Sequence, residues 1–284
     1  MLVTKSILKN VYKPRTPWAH KGNFGSLLVV GGSRMYSGTV AFNALAALRA
    51  GCDLVTIAAP ERAADTAAAF SPDIIAYPLK GDFLAARHLK ELEKLKEGKD
   101  ALVVGGGMGR EKETMDAINT FLSGIEIPSV IDADAIHAVA GNRKVIQSNF
   151  VITPHTVEFH VLTGEKAGND VKERALQAKK YAAEFRCTVV LKGHVDVISD
   201  GTRTALNRTG SPYMTKGGTG DTLAGICGSL LAQDNDPFTA ACAAAYINGK
   251  AGEIAAKEKR QGLLASDIIE KIPEAVRDHV HNAS

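Results

Sequence analysis

Short, wholly apolar runs recur along this chain, and each is followed by a longer segment of helical period. Leu27-Leu28-Val29-Val30 precedes an Ala- and Leu-rich stretch at 38–50, and 54–57 precedes the Ala-rich segment after Pro60. The run at 74–77 precedes an amphipathic segment at 83–96, and Ala101-Leu102-Val103-Val104 precedes another at 111–122. A four-residue apolar run is too short for a helix and has no polar alternation, so it reads as a strand buried on both faces. Strand–helix repetition of this kind predicts an α/β fold, with a mostly parallel sheet covered by helices on both sides. Further strands are expected at 130–131, 151–152 and 188–191. Asp170, with Glu173 three residues on, has the spacing of a capping box and should open a helix ending near Phe185. Asp200-Gly201 between 195–198 and 202–206 predicts a late antiparallel hairpin, and helices at 219–232 and 237–256 close the pattern. No linker, low-complexity tract or repeat interrupts it, so one domain is expected across residues 1–284.

The chain holds 34 Lys and Arg against 31 Asp and Glu, a net charge of +3, without a long run of one sign. That excludes the electrostatic footprint of a nucleic-acid binder. No apolar run approaches the ~18 residues needed to cross a bilayer, and no secretory signal follows the N-terminal Lys5, Lys9, Lys13 and Arg15. A soluble cytoplasmic protein with no membrane partner is expected. Cys52, Cys187, Cys227 and Cys242 show no C-x-x-C pattern and lie in apolar stretches, so they read as buried structural thiols.

The 27 glycines carry more information, because they gather at Gly31-Gly32, Gly105-Gly106-Gly107 and Gly217-Gly218-Thr219-Gly220. Neither of the first two clusters completes G-x-G-x-x-G, since Arg110 stands where the third glycine would be, and no P-loop pattern occurs. His155, Glu158 and His160 are spaced H-x-x-E-x-H, which matches neither zinc-protease arrangement, so no protein-held metal is expected. The third cluster is different. Gly217, Gly218, Thr219 and Gly220 lead into an apolar helix, where close backbone approach and the positive helix end together make an anion hole for phosphate. A plain helix cap would explain Thr219 or Asp221, but not three glycines in four positions. Asp221, in the first helical turn, is then placed to orient a hydroxyl and accept its proton. The helix dipole favours the charged carboxylate, so a weak base that takes the proton late is expected. Lys216 either screens the phosphate or faces solvent.

Three apolar runs also end in polar groups: Lys192-Gly193, Asp132-Ala133-Asp134, and Pro154-His155 with Glu158. Strand C-termini line the ligand crevice of open α/β sheets, so these ends and the glycine turns should share one edge.

Gly217-Gly218-Thr219-Gly220-Asp221 resembles the anion-hole motif of the ribokinase-like kinases. The wider set is similar to one branch of them, the ADP-dependent NAD(P)H-hydrate dehydratases. It comprises His20-Lys21-Gly22, Gly25, Val29 to Ser33, Tyr36-Ser37-Gly38, Ala47 to Gly51, Val103 to Arg110, Asp132 to Ala135, Thr153-Pro154-His155, Glu158-Phe159 and Leu191-Lys192-Gly193. The resemblance implies a ribokinase-like three-layer sandwich, and a lyase that restores hydrated NADH or NADPH (NADHX, NADPHX) at the expense of ADP, with ATP as another donor and Mg²⁺ bridging the phosphates. It implies Asp221 as the catalytic residue, with Lys192, Gly193, His194, Val195, Asp196 and Gly220 beside the adenine nucleotide. Thr39, Gly107, His155 and Asp221 would face the hydrated dinucleotide, with Gly109 shaping that turn. A homo-oligomer, up to a tetramer, is implied as well. About 25 residues precede the first strand, so a separate NAD(P)H-hydrate epimerase is the expected functional partner. The chain departs from the family pattern at Gly106, where proline is usual, at Thr156-Val157, at Thr39, where alanine is common, and at Ser211 and Tyr213. The competing readings are a small-molecule kinase acting on a vitamin precursor or sugar alcohol, and a nucleotide-binding module without catalysis. Asp221 argues against the latter, because phosphate binding alone does not need that carboxylate.

Overall fold

The computed structural model describes residues 1–277, so positions 278–284 of the expected 1–284 domain lie outside the described part. A nine-stranded sheet runs in the order β3-β2-β1-β4-β5-β6-β7-β8-β9. Its strands are β1 (Ser26–Val30), β2 (Leu54–Pro60), β3 (Ile75–Leu79), β4 (Ala101–Val104), β5 (Ser129–Ile131), β6 (Phe150–Ile152), β7 (Thr188–Leu191), β8 (Asp196–Ser199) and β9 (Thr204–Asn207). β1 to β7 pair in parallel, while β8 and β9 add an antiparallel edge. The helices are α1 (Leu8–Val11), α2 (Thr39–Arg49), α3 (Glu61–Phe70), α4 (Leu89–Lys96), α5 (Lys112–Ser123), α6 (Asp134–Gly141), α7 (Thr156–Thr163), α8 (Val171–Phe185), α9 (Thr219–Ala232), α10 (Pro237–Lys259) and α11 (Ala265–Val276).

Strand side chains alternate between two cores, which is why the apolar runs show no polar phase. Leu27 and Val29 of β1 join the core under α2, α3, α9, α10 and α11. Leu28 and Val30 join the core under α4 to α8. The result is the expected three-layer sandwich. Among the described residues, no helix is long and apolar enough to cross a membrane. All four cysteines are buried and free, as expected.

Local departures from the expected elements have identifiable causes. The segment expected as one helix at 83–96 begins with a 3₁₀ turn (Ala86–His88), because buried His88 accepts from the Ala85 amide and contacts the Lys80 carbonyl. The hairpin strands shift to β8 and β9 because Asp200 accepts from the Thr202 and Arg203 amides, drawing both into the loop. Asp170 does cap α8, accepting from the Lys172 and Glu173 amides. Short α6 and α7, and the terminal α11, were not expected from the sequence.

Candidate active site

The C-terminal ends of β1, β4, β5, β6 and β7 open onto one edge of the sheet, and the functional side chains collect there. After β4 the chain turns at Gly105–Gly107, and the turn is held by sterics. Gly105 has φ +132°, and a Cβ there would overlap the Asp132 carbonyl oxygen. Gly107 has φ +66°, and a Cβ would lie 2.7 Å from Tyr36 Cβ and 2.9 Å from Thr39 Oγ1. The Gly106 carbonyl accepts from the Gly32 amide at 2.7 Å and from Thr39 Oγ1 at 3.0 Å.

Opposite this turn, α9 begins at Gly218, whose φ of +93° is left-handed. Thr219 Oγ1 donates to the Met214 and Lys216 carbonyls at 3.0 Å each, closing the loop before the helix. Thr222 donates to Asn248 Oδ1 at 2.6 Å, and Asn248 Nδ2 donates to the Thr219 carbonyl, so α10 fixes the first turn of α9. The Thr219 amide donates to the Lys216 carbonyl at 3.4 Å, and the Gly220 and Asp221 amides that follow face an anion as the open first turn of a helix does.

Asp221 lies between these two structures. A Cβ at Gly106 would stand 2.6 Å from its Oδ1, so the carboxylate packs against the Gly106 peptide. Burial, with the nearby Asp132 carboxylate adding to it and Lys192 opposing, pushes the Asp221 carboxyl up to about 8. This corrects the expectation of a weak base: desolvation and neighbouring carboxylates outweigh the helix dipole. Lys192, at the end of β7, contacts Asp132 at 2.9 Å and Glu158 at 3.7 Å. Burial disfavours its charge, but the carboxylates of Asp132 and Glu158 hold the amine above its usual range. Thr153 donates to the same Asp132 oxygen at 2.7 Å.

A cleft of about 800 Å³ adjoins this cluster, lined by residues that include Lys192, Gly193, His194, Asp196, Gly220 and His155. Thus most residues expected beside a nucleotide do share one cavity. Val195 is buried beneath it rather than lining it. Asp196 uses both carboxylate oxygens internally, accepting from the Gly193 amide and from Asn207 Nδ2, and burial raises its pKa. Arg174 holds the same loop through the Leu191 and Lys192 carbonyls. His155 is the N-cap of α7: its Nδ1 accepts from the Val157 and Glu158 amides, and Glu158 accepts from the His155 amide. The H-x-x-E spacing is therefore a capping box. Thr39 and Asp221 meet at Gly106, and Thr39 also lies against Gly107, whereas His155 lines the cleft. Gly217 has nothing within 4 Å of a Cβ, while that of Gly218 would press on Phe42 and Ala265.

Asn43, Arg174 and Asn248 were not anticipated. Asn248 had a signal, an amide directly after the apolar run from Ala240 to Ile247, and so did Asn43, an amide inside the Ala- and Leu-rich stretch at 38–50. Arg174 had none, because it bonds the Leu191 and Lys192 carbonyls, 17 and 18 residues away.

The family model for NAD(P)H-hydrate dehydratase matches residues 27–274. A bifunctional NAD(P)H-hydrate repair enzyme of Pyrobaculum aerophilum is 46% identical over 259 residues, covering 90% of this chain and 51% of that protein. The ADP-dependent (S)-NAD(P)H-hydrate dehydratase of Cenarchaeum symbiosum is 38% identical over 262 residues, 91% of each chain. The chain spans about half the length of the bifunctional relatives and nearly all of the latter. A crystal structure of the ADP/ATP-dependent NAD(P)H-hydrate dehydratase from Bacillus subtilis, co-crystallized with ATP/Mg²⁺, superposes with a TM-score of 0.83 at 26% identity, covering 98% of both chains. With its ribokinase-like sandwich and the Asp221 cluster at the strand ends, this chain belongs to the NAD(P)H-hydrate dehydratase family.

Proposed function

We propose that this chain dehydrates hydrated NADH and NADPH to the reduced dinucleotides at the expense of ADP, giving AMP and phosphate. One observation carries the reading: Asp221, a carboxyl pushed up to about 8, packs against the Gly106 peptide, and its chain neighbour Gly220 lines the nucleotide-sized cleft. A base with a pKa near the working pH is well matched to proton transfer.

In this reading ADP occupies the cleft beside Lys192 to Asp196, with its phosphates against Gly217–Gly220. The hydrated ring lies by Gly107 and Thr39, its outer part toward His155. Asp221 takes the proton of the C6 hydroxyl as that oxygen attacks the terminal phosphorus of ADP. The bond from that phosphorus to the bridging oxygen breaks, and AMP leaves. The C6–O bond then breaks with its electrons going to phosphate, a proton leaves C5, and the C5=C6 double bond returns.

Among the described residues no group of three or more His, Cys, Asp or Glu is arranged to hold a metal ion. A magnesium ion bound mainly by phosphates and water needs only one or two carboxylates. Asp132 fits that part, because its Oδ2 faces Gly220 while its Oδ1 is engaged by Lys192 and Thr153. Bound there, Mg²⁺ would neutralise phosphate charge during transfer. An NAD(P)H-hydrate epimerase, on this or another polypeptide, would supply the reactive epimer. Cytoplasmic location and a homo-oligomer, up to a tetramer, belong to the same proposal.

The test supplies enzymatically hydrated NADH or NADPH with ADP or ATP and Mg²⁺, and follows the return of reduced-nicotinamide absorbance and the release of AMP or ADP. Recovery with ADP is expected. No recovery with either donor, alongside phosphorylation of a vitamin-like alcohol, would replace the dehydratase with a kinase.

A further inference from the structure

One turn of α2 directs two side chains at the machinery around Asp221, and the reaction outlined above uses only one of them. Thr39 donates from Oγ1 to the Gly106 carbonyl at 3.0 Å. Asn43, four residues later and so on the same helix face, donates from Nδ2 to the Asp221 carbonyl at 2.7 Å. Asn43 is 2% exposed and belongs to a helix face otherwise built from Val40, Ala44 and Ala47. A buried amide is costly there unless it is bonded, and an alanine or leucine would serve packing alone. Its backbone cannot retreat, because Gly225 of α9 lies so close that a Cβ would overlap the Asn43 carbonyl.

The two donors anchor the two sides of one contact, Thr39 the Gly106 carbonyl and Asn43 the Asp221 carbonyl. A Cβ at Gly106 would lie 2.6 Å from Asp221 Oδ1, 3.4 Å from Thr39 Cβ and 3.5 Å from Asn43 Oδ1. Gly106 has neither a side chain nor a ring to stiffen it. Its carbonyl is held by Thr39, and the first turn of α9 is held by Asn43. The relative position of the turn and the carboxylate is therefore set from α2.

We propose that Asn43, seconded by Thr39, is a positioning residue that holds Asp221 at a fixed distance from the Gly105–Gly107 turn. The proposal rests on the dehydratase reading for its kinetic test, and it has a structural test that does not. Misplacement of a reacting group by about 1 Å costs on the order of 100-fold in rate.

Asn43→Leu keeps the volume and removes the donor, Asn43→Asp keeps the shape and removes the donor, and Thr39→Val is nearly isosteric. With hydrated NADPH and ADP, kcat should fall about 30-fold or more in both Asn43 variants and about 5-fold in Thr39→Val. ADP affinity by calorimetry should stay within about twofold in all three. A crystal structure of Asn43→Leu should show the Asp221 carboxylate displaced from Gly106 by about 1 Å. A kcat within about twofold of the parent in both Asn43 variants overturns the proposal, whatever their melting temperatures, as does ADP affinity falling in step with kcat. If the parent enzyme shows no dehydratase turnover, the functional reading fails, and the carboxylate position in Asn43→Leu still decides the proposal. If neither Asn43 variant folds, Thr39→Val carries both measurements.

Discussion

The glycine clusters at Gly105–Gly107 and Gly217–Gly220 look alike in the sequence and are built for different reasons. In the first, side chains are excluded by the protein itself: the Asp132 carbonyl, Tyr36, Thr39 and the Asp221 carboxylate stand where the Cβ atoms would be. In the second, Gly217 faces open space, and the nearest groups to a Gly220 Cβ are Lys192 Nζ at 3.6 Å and Asp132 Oδ2 at 3.9 Å. One cluster is glycine because the interior is full. In the other, Gly217 and Gly220 leave room for something from outside to come close, while Gly218 is confined by Phe42 and Ala265. Substitutions should therefore separate them, the first failing in stability and the second, at Gly217 and Gly220, in binding.

The largest effect is expected from Gly105→Ala. Its Cβ would overlap a backbone carbonyl at a φ of +132°, and neither can move without shifting β5. A loss of about 4 kcal/mol or more is expected, read by chemical denaturation. A soluble variant with the parent's stability would break the comparison at its first term.

Asp221→Asn tests the point where the clusters meet. Turnover should fall about 1,000-fold while ADP affinity changes less than about threefold. Equal losses of both would make Asp221 structural. Its pKa, raised to about 8 by burial and Asp132, also has a stability consequence. A carboxyl raised in the folded state is favoured there in its protonated form. It therefore costs nothing below its unfolded pKa of about 3.9, and an increasing amount from there to pH 8. Asp221→Asn should raise the melting temperature, more at pH 8.5 than at pH 5. In the parent, kcat/KM should climb about tenfold per pH unit below 8 and level off above it.

Lys192→Met leaves Asp132 and Glu158 without the ammonium that both contact. Removing one partner of a buried ion pair costs about 3–5 kcal/mol, and loss of the cation beside Gly220 should weaken ADP binding as well. A variant that lost ADP affinity at full stability would mean that Lys192 serves the ligand and not the cluster.

The sheet was legible in the sequence because its strands are buried on both faces, so Leu27–Val30 and Ala101–Val104 appear as unbroken apolar runs. Asp221 was legible because the turn that positions it immediately precedes it. The chemistry of Asp221 was not. The helix dipole is a local property and pointed to a weak base, whereas the burial that chiefly pushes its pKa up, and the carboxylates of Asp132, Asp134 and Glu158 that add to it, come from other parts of the chain. Asn43 stands out as an amide inside an apolar stretch, but its partner was hidden for the same reason, since its bond to Asp221 spans 178 residues. The H-x-x-E segment shows the reverse case: a pattern that looked like metal chemistry is the local cap of α7.

Within the second cluster, adjacent glycines should respond in opposite ways. Gly217 has no positive φ, and nothing lies within 4 Å of its Cβ position. Gly217→Ala should therefore stabilise the protein by about 0.4–1 kcal/mol, through the lost freedom of the unfolded chain. The methyl group, however, would occupy space through which a phosphate reaches the amides at the start of α9, so ADP affinity should fall, by less than about tenfold. Gly218→Ala meets Phe42 and Ala265 at 2.8 Å with φ +93°, so it should destabilise the α2–α9–α11 contact. Paired measurements of denaturation and ADP titration distinguish the two. Should Gly217→Ala leave ADP affinity unchanged, the anion site would narrow to the face formed by Gly220, Lys192 and the first turn of α9. The openness of Gly217 would then be a property of the loop alone.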